Sequence, residues 1–339
     1  MQKFIENHLY NRSIISYLLL PFGILNALIQ VIRRWIFENF HFLRYKPAVK
    51  IISVGNIVSG GSGKTPVTIW IAKKMNKQGY NVAVSHRGYK GKFEKEVQII
   101  SDQYQIDKKA AQAGDEAFML TQKLSGIPIV VGKNRRKAIK LLLSTFPELD
   151  YIILDDSFQH LKVEHDIDIL VFNTVGGIGN GFVLPAGILR EPINSVKKAD
   201  YLVINGGGRI AVLDDFNIPQ ISARYEIEKF ITPFGEEISA HQLRTSKIAL
   251  LSAIGLPASF ESTIKASELD FLYHLALPDH FNYDNNWERI KTALSGYDYV
   301  LTTEKDYAKL QFIPHNLPLV IVQTKLRMSQ ELSFPVKKT

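Results

Sequence analysis

The chain has 339 residues, of which 46% are hydrophobic and 22% charged, which excludes wholesale disorder and leaves enough apolar surface to bury a core. That length calls for one large α/β domain or two smaller ones, and two are expected. No cysteine is present, so disulfides, thiolate zinc sites and cysteine nucleophiles are excluded, while a net charge of +8 favours polyanionic partners: nucleic acid, anionic lipid headgroups or a phosphorylated substrate.

Twenty residues without a formal charge separate Arg12 from Arg33, a length that just spans a bilayer. Pro21, Gly23, Asn26 and Gln30 interrupt the apolar run. Asn26, Gln30 and Arg33 share one helical face, and Ile15, Leu18, Phe22, Leu25, Ile29, Ile32 and Ile36 share the other. Such a helix, ending in Arg33, Arg34, Trp35 and Phe37, suits a segment lying in the membrane interface; packing on the protein's own core is the alternative. Aromatic and basic residues follow it instead of a small-residue cleavage site, which argues against a signal peptide. If the helix spans, Arg33, Arg34, Arg44 and Lys46 behind it keep the bulk of the chain cytoplasmic.

Lys50 to Val54 reads as a buried strand, Gly60 to Gly63 as a turn and Thr65 to Met75 as a helix. In that context Ser59-Gly60-Gly61-Ser62-Gly63-Lys64-Thr65-Pro66 lets backbone N–H groups surround a triphosphate at a helix N-terminus, where the dipole also favours anions. Lys64 adds a movable positive charge, and Thr65 offers a hydroxyl oxygen to magnesium. The usual pattern has glycine where Val58 stands. The match is therefore to the double-glycine variant, which resembles the loops of the partition and nitrogenase-iron ATPases, with Ser59 where those carry a further lysine.

Gly79 to Ser85 reads as a second strand ending at His86-Arg87-Gly88-Tyr89. Gly114-Asp115-Glu116 opens a helix, Pro128 to Val131 is a short strand, and Tyr151 to Leu154 is a buried strand with Asp155-Asp156 at its C-terminal end, where open α/β sheets place their ligands. An apolar strand ending in aspartates next to a phosphate loop resembles the magnesium-holding Walker B element. Asp168 to Phe172 and Tyr201 to Ile204 continue the sheet. A smaller α/β unit is expected from the strands Lys247 to Ser252, Tyr299 to Thr303 and Leu319 to Val322 with a helix at Trp287 to Leu294. The expected organisation is a membrane-associated helix over 1–46, a P-loop core over 47–218, an extended connection over 219–238 and the smaller unit over 239–339. The fold class is thus α/β: a P-loop NTPase-like, mostly parallel sheet with flanking helices, a second smaller α/β domain and the N-terminal helix. The active site is expected between the two domains, with closure as a hinge motion.

Several of these segments together resemble the tetraacyldisaccharide 4′-kinase family, the lipid A kinases of Gram-negative envelope biogenesis. They are Gly55-Asn56 with Gly60 to Pro66, Arg87-Gly88-Tyr89, Gly114-Asp115-Glu116, Asp155-Asp156-Ser157-Phe158-Gln159-His160, Leu184-Pro185-Ala186-Gly187 with Leu189-Arg190-Glu191-Pro192, and Thr302-Thr303-Glu304-Lys305-Asp306, in order over roughly residues 50 to 310. Ser157 stands where the family usually has glycine, and Ala117 where it has proline.

The resemblance implies ATP-dependent phosphorylation, with Mg2+, of the 4′-hydroxyl of a tetraacylated glucosamine disaccharide 1-phosphate, giving lipid IVA. It also implies that the N-terminal helix docks on inner-membrane lipids and that the protein works on the cytoplasmic face of the inner membrane. By resemblance Asp115 is the base that takes the hydroxyl proton, and His280 pairs with it. Lys64, magnesium and Arg190 are the cations expected to meet the charge on the transferred phosphoryl group, and Asp156 is a further catalytic candidate; Thr65, Asp155, Asp156 and Glu191 are the magnesium candidates. Arg87, Arg135, Arg136 and Arg190 are candidates for the acceptor's 1-phosphate or neighbouring headgroups, although Arg135 and Arg136 equally suit a solvated helix start. A nucleotide-switched, membrane-associated ATPase is the competing reading. No nucleic-acid module accompanies the basic charge, so no nucleic-acid partner is expected, and a monomer is.

Overall fold

A computed structural model of the chain describes residues 8–89, 91–102, 104–107, 110–279, 281–283, 286–311, 313, 316–330 and 332, the side chains of 110, 111 and 115 excepted. It divides into two units, residues 1–223 with 328–339, and residues 224–327.

The long N-terminal helix of the first unit is α1 (Ile14–Asn39). Ser13 caps it, its hydroxyl accepting from the Ser16 N–H while the Ser16 hydroxyl takes the Ser13 N–H. The strands are β1 (Lys50–Gly55), β2 (Val82–His86), β3 (Gln98–Ser101), β4 (Ile129–Val131), β5 (Tyr151–Asp155), β6 (Ile167–Asn173), β7 (Tyr201–Asn205) and β8 (Gln220–Ile231). They lie in the order β3-β4-β2-β5-β1-β6-β7-β8, with residues 220–223 of β8 against β7. Their pairings are parallel except for the β3–β4 edge. Such strands are buried on both faces, which is why β1, β2 and β5 are buried almost throughout and mostly apolar.

Helices α2 (Lys64–Lys77), α3 (Asp115–Lys123) and α4 (Arg135–Thr145) complete this unit. Side chains alternate across a strand, so Leu154 and Asp155 point to opposite faces of the sheet. Leu154, Ile152 and Ile51 pack with Ala138, Ile139 and Leu142 of α4, whereas Asp155 bonds to Thr65 and Thr68 of α2. The sheet is therefore sandwiched between α4 and the helix that follows the glycine turn.

In α1 the two faces are reversed relative to an ordinary amphipathic helix. Asn26, Gln30 and Arg33 turn inward: Asn26 Nδ2 donates to Leu184 O (2.9 Å), Gln30 Nε2 to Asn26 Oδ1 (3.2 Å) and Arg33 Nη2 to Gln159 O (2.8 Å). Leu18, Phe22, Leu25, Ile29 and Trp35 face outward, Leu18 being 70% exposed. The alternative that this face packs on the protein's own core is overturned, because the inner face is the polar one. By length and composition α1 is able to cross a membrane.

In the second unit the rest of β8 is followed by β9 (Glu237–Ile238), α5 (Ala240–Arg244), β10 (Ile248–Ser252), α6 (Pro257–Lys265), β11 (Tyr273–Ala276), α7 (Trp287–Ala293), β12 (Tyr299–Thr303), α8 (Glu304–Leu310) and β13 (Leu319–Met328). The order is β11-β10-β12-β13-β8, with β9 antiparallel to β8. The stretch expected as an extended, strand-like connection holds β8 and β9. Leu250, Leu301 and Val320 build a core with Phe230 and Phe260 on one face, and Leu251, Val300 and Leu319 build another with Tyr283 and Trp287 on the opposite face.

Candidate active site

Strand β1 ends at Gly55, where a Cβ would lie 2.5 Å from that of Phe158; glycine lets the segment after β5 cross there. Two buried asparagines shape the turn that follows. Asn56 Nδ2 donates to Ser62 Oγ (2.9 Å), and Asn205 Nδ2, at the end of β7, donates to Ser62 O (2.7 Å). Gly63 takes φ +85°, a left-handed conformation that glycine adopts without steric cost, and begins α2. Gly60 and Gly61 keep the turn free of side chains, and Pro66 occupies an early helical position that needs no donor. The N–H groups of a first helical turn lack intrahelical acceptors, so this turn presents donors and a positive dipole end to an anion.

Asp155 closes the site from below. It is buried, and its carboxylate accepts from Thr65 Oγ1 (2.9 Å) and Thr68 Oγ1 (3.0 Å), hydroxyls one turn apart on α2. Burial raises its pKa, His86 opposes the rise, and Glu116 and Asp156 add to it. His86, at the end of β2, accepts from the Gly88 N–H through Nδ1 (2.9 Å), and its Nε2 lies 3.4 Å from Glu116 and 3.8 Å from Asp155. In the neutral ring the proton therefore sits on Nε2, facing the carboxylates.

Asp156 differs in backbone and in partners. Its φ is +50°, a region that aspartate tolerates better than most residues. This turns its carboxylate to Lys64 Nζ (3.6 Å) and Arg190 Nη1 (3.2 Å). Burial alone would raise its pKa, but Lys64, Arg190 and Arg135 outweigh burial and hold it below the usual carboxylate value. Two neighbouring carboxylates thus have opposite characters: Asp155 is a buried hydrogen-bond acceptor, and Asp156 is an ion-paired anion beside the turn.

The remaining predicted residues fall in several places. Arg135 is not a solvated helix start. It is buried and donates to Ser85 Oγ (3.1 Å) and to the Asp155 carbonyl oxygen, so its donors hold the end of β5 in place. Burial lowers its pKa to about 10, against the pull of Asp155 and Asp156, which leaves it charged at neutral pH. Glu191 is buried and gripped by Arg34 of α1 (2.9 Å). Arg87 pairs with Glu94 (3.0 Å) over the ring of Tyr89, and Arg136 lies over Tyr45. Asp115 is the first residue of α3, after Gly114 at φ +98°. His280 lies outside the described residues.

The sequence reading attaches no role to Asn205 or His86. Each acts through the strand order, Asn205 reaching Ser62 across 143 positions of chain. In the second unit, Asp306 of the Thr-Thr-Glu-Lys-Asp segment is buried and accepts from Ala253 N (3.1 Å), Tyr283 Oη (2.9 Å) and Thr303 Oγ1 (2.7 Å). Lys305 pairs with Asp279 (3.0 Å).

A glycine turn between a parallel strand and a helix, a lysine at that helix's start and aspartates ending a neighbouring strand define the class of P-loop phosphotransferases. Comparison with known proteins narrows the class. Residues 15–338 match the family described as Tetraacyldisaccharide-1-P 4'-kinase. A tetraacyldisaccharide 4'-kinase of Pelobacter propionicus is 36% identical over 88% of this chain and 84% of its own length, and one of Actinobacillus succinogenes is 34% identical over 89% and 88%. The crystal structure of LpxK from Aquifex aeolicus in complex with ATP superposes with a TM-score of 0.73 at 28% identity, over 93% of this chain and 95% of that one. The chain belongs to the tetraacyldisaccharide 4′-kinase family. It is a lipid A 4′-kinase, acting on a hydroxyl group, and the nucleotide-switch alternative is set aside.

Proposed function

We propose that the chain moves the γ-phosphoryl group of ATP to the 4′-hydroxyl of a tetraacylated glucosamine disaccharide 1-phosphate at the cytoplasmic face of a bacterial inner membrane. The observation that carries this reading is the convergence of Lys64 and Arg190 on one oxygen of Asp156, beside the first turn of α2, whose leading N–H groups have no intrahelical acceptor. Those two cations stand ready for the charge that develops on the phosphoryl oxygens during transfer. Thr65, Asp155 and Asp156 offer hard oxygen donors that suit magnesium. When bound, Mg2+ would neutralise charge between the phosphates.

Asp115 is the proposed base. The proton of the 4′-hydroxyl passes to it as the new O–P bond forms and the bond to the β-phosphate oxygen breaks, leaving ADP; His280 is its proposed partner. The outward apolar face of α1 supports docking on lipid, with the inward polar face holding the rest of the unit. Mass spectrometry of the product after incubation with ATP, Mg2+ and the disaccharide 1-phosphate tests the reading. One added phosphate at the 4′ position is expected, together with a product rate for Asp115→Asn lower by about 10³-fold, the scale of a lost general base. ATP consumption without a phosphorylated lipid would sink it.

A further inference from the structure

Two consecutive arginines of α1 reach past the apolar face into the loops that carry the site. Arg33 Nη2 donates to Gln159 O (2.8 Å), and the Gln159 side chain donates in turn to Asn56 O (2.7 Å), at the root of the glycine turn. Arg34 makes the stronger attachment. Its Nε donates to Glu191 Oε2 (3.1 Å), and its Nη2 to Oε2 (2.9 Å), to Oε1 (3.1 Å) and to Phe158 O (3.4 Å). The guanidinium lies 4.5 Å above the Phe158 ring centroid. Arg34 is 12% exposed and Glu191 3%, so solvent screens the pair little.

The two groups it holds flank the acting residues. Phe158 follows Asp156 by two positions and fills the space left by Gly55. Glu191 follows Arg190, whose N–H donates to Ile57 O (2.7 Å) and whose guanidinium meets Asp156 (3.2 Å). A run of charge contacts and single peptide steps thus leads from α1 through Glu191, Arg190 and Asp156 to Lys64.

We propose that Arg34 is a positioning residue: by clamping Glu191 and Phe158 together it sets Arg190 and Asp156 against the phosphate loop, so that the seated helix is part of the catalytic scaffold as well as the contact with lipid. This rests on the kinase reading above. Arginine suits the task because its planar fork matches a carboxylate and stacks on an aromatic ring at once, which a lysine does not do. A tether that served only stability would affect unfolding and leave turnover of the folded enzyme alone.

The test uses the full chain in vesicles of phosphatidylglycerol and phosphatidylcholine, with Arg34→Met, Arg34→Lys, Glu191→Gln and the Arg34→Met/Glu191→Gln pair. Arg34→Met is expected to lower kcat about tenfold or more at an unchanged KM for ATP, the scale of one lost charge-assisted contact, with vesicle sedimentation unchanged. Arg34→Lys recovers part of that loss at most. Adding the second substitution to Glu191→Gln costs less than the Arg34→Met factor alone, since the two act as one unit. Guanidinium ion at millimolar concentration restores part of the turnover of an Arg34→Ala variant, a response that a merely structural role would not give. Wild-type kcat in Arg34→Met, or fully multiplicative losses in the pair, overturns the proposal. Absence of lipid phosphorylation by the wild type would instead overturn the kinase reading, so the two failures are told apart.

Discussion

Asp155 and Asp306 are both buried, both accept from threonine hydroxyls, and burial raises the pKa of both, yet their surroundings separate chemistry from architecture. Around Asp155 stand groups that exchange protons or bear charge: His86, Glu116, Asp156 and, behind its carbonyl, Arg135. Around the Asp306 carboxylate the bonded partners are neutral donors from three separate stretches, at Ala253, Tyr283 and Thr303. A buried carboxylate alone therefore says little about function; the charge of its partners decides.

The comparison is broken most directly by making the same substitution at both positions. Asp155→Asn is expected to cut kcat by about 10²- to 10³-fold, the cost of removing one preorganised group from a phosphoryl-transfer site, with little change in the thermal midpoint. Equal losses of kcat from Asp306→Asn, measured on the folded enzyme, would erase the distinction. Asp306→Ala should act on stability, by about 3 kcal/mol in urea unfolding, because it leaves the Ala253 N–H and the Tyr283 hydroxyl without an acceptor. A shift of the midpoint below half that size would show that water replaces the carboxylate cheaply.

A second contrast lies within α1, between its inward arginines and its outward apolar side. Leu25→Asp should lower partition into vesicles by about tenfold or more, from the lost burial of one leucine, and leave the rate on a detergent-dispersed substrate near wild type. Unchanged sedimentation would show that another surface meets the lipid. The smallest effect concerns pH. Because burial lifts the folded pKa of Asp306 above 3.8, the folded unit holds its proton more tightly than the unfolded chain does. Its contribution is fully present below 3.8 and is lost as the pH rises through the raised folded value. The difference in unfolding free energy between wild type and Asp306→Asn should follow that window, and a flat difference between pH 3 and 7 would contradict it.

Much of this was legible in the sequence because it is local. The turn, α2 and the aspartates ending β5 lie in contiguous segments whose apolar runs and glycines carry their own signals, and the family resemblance joined them. Arg135 was not legible: an arginine at a helix start is ordinarily solvated, and the Asp155 carbonyl that holds it lies 20 residues away. Helix α8 is only seven residues long, too short for a periodic pattern, although Thr303 and Asp306 form its cap. The inward turn of the α1 polar stripe depended on partners at Leu184 and Gln159, which no local pattern reveals.

If the turn ending in Lys64, with Asp155 and Asp156 beside it, transfers a phosphoryl group, transfer must depend on Lys64. Rapid-quench measurement of a single turnover, with saturating γ-labelled ATP and the disaccharide 1-phosphate, tests it most directly. Label should pass to the lipid in the wild type and about 10³-fold more slowly in a folded Lys64→Ala variant, the scale of a lost cation at the transferring group. Transfer by Lys64→Ala at the wild-type rate would contradict the account.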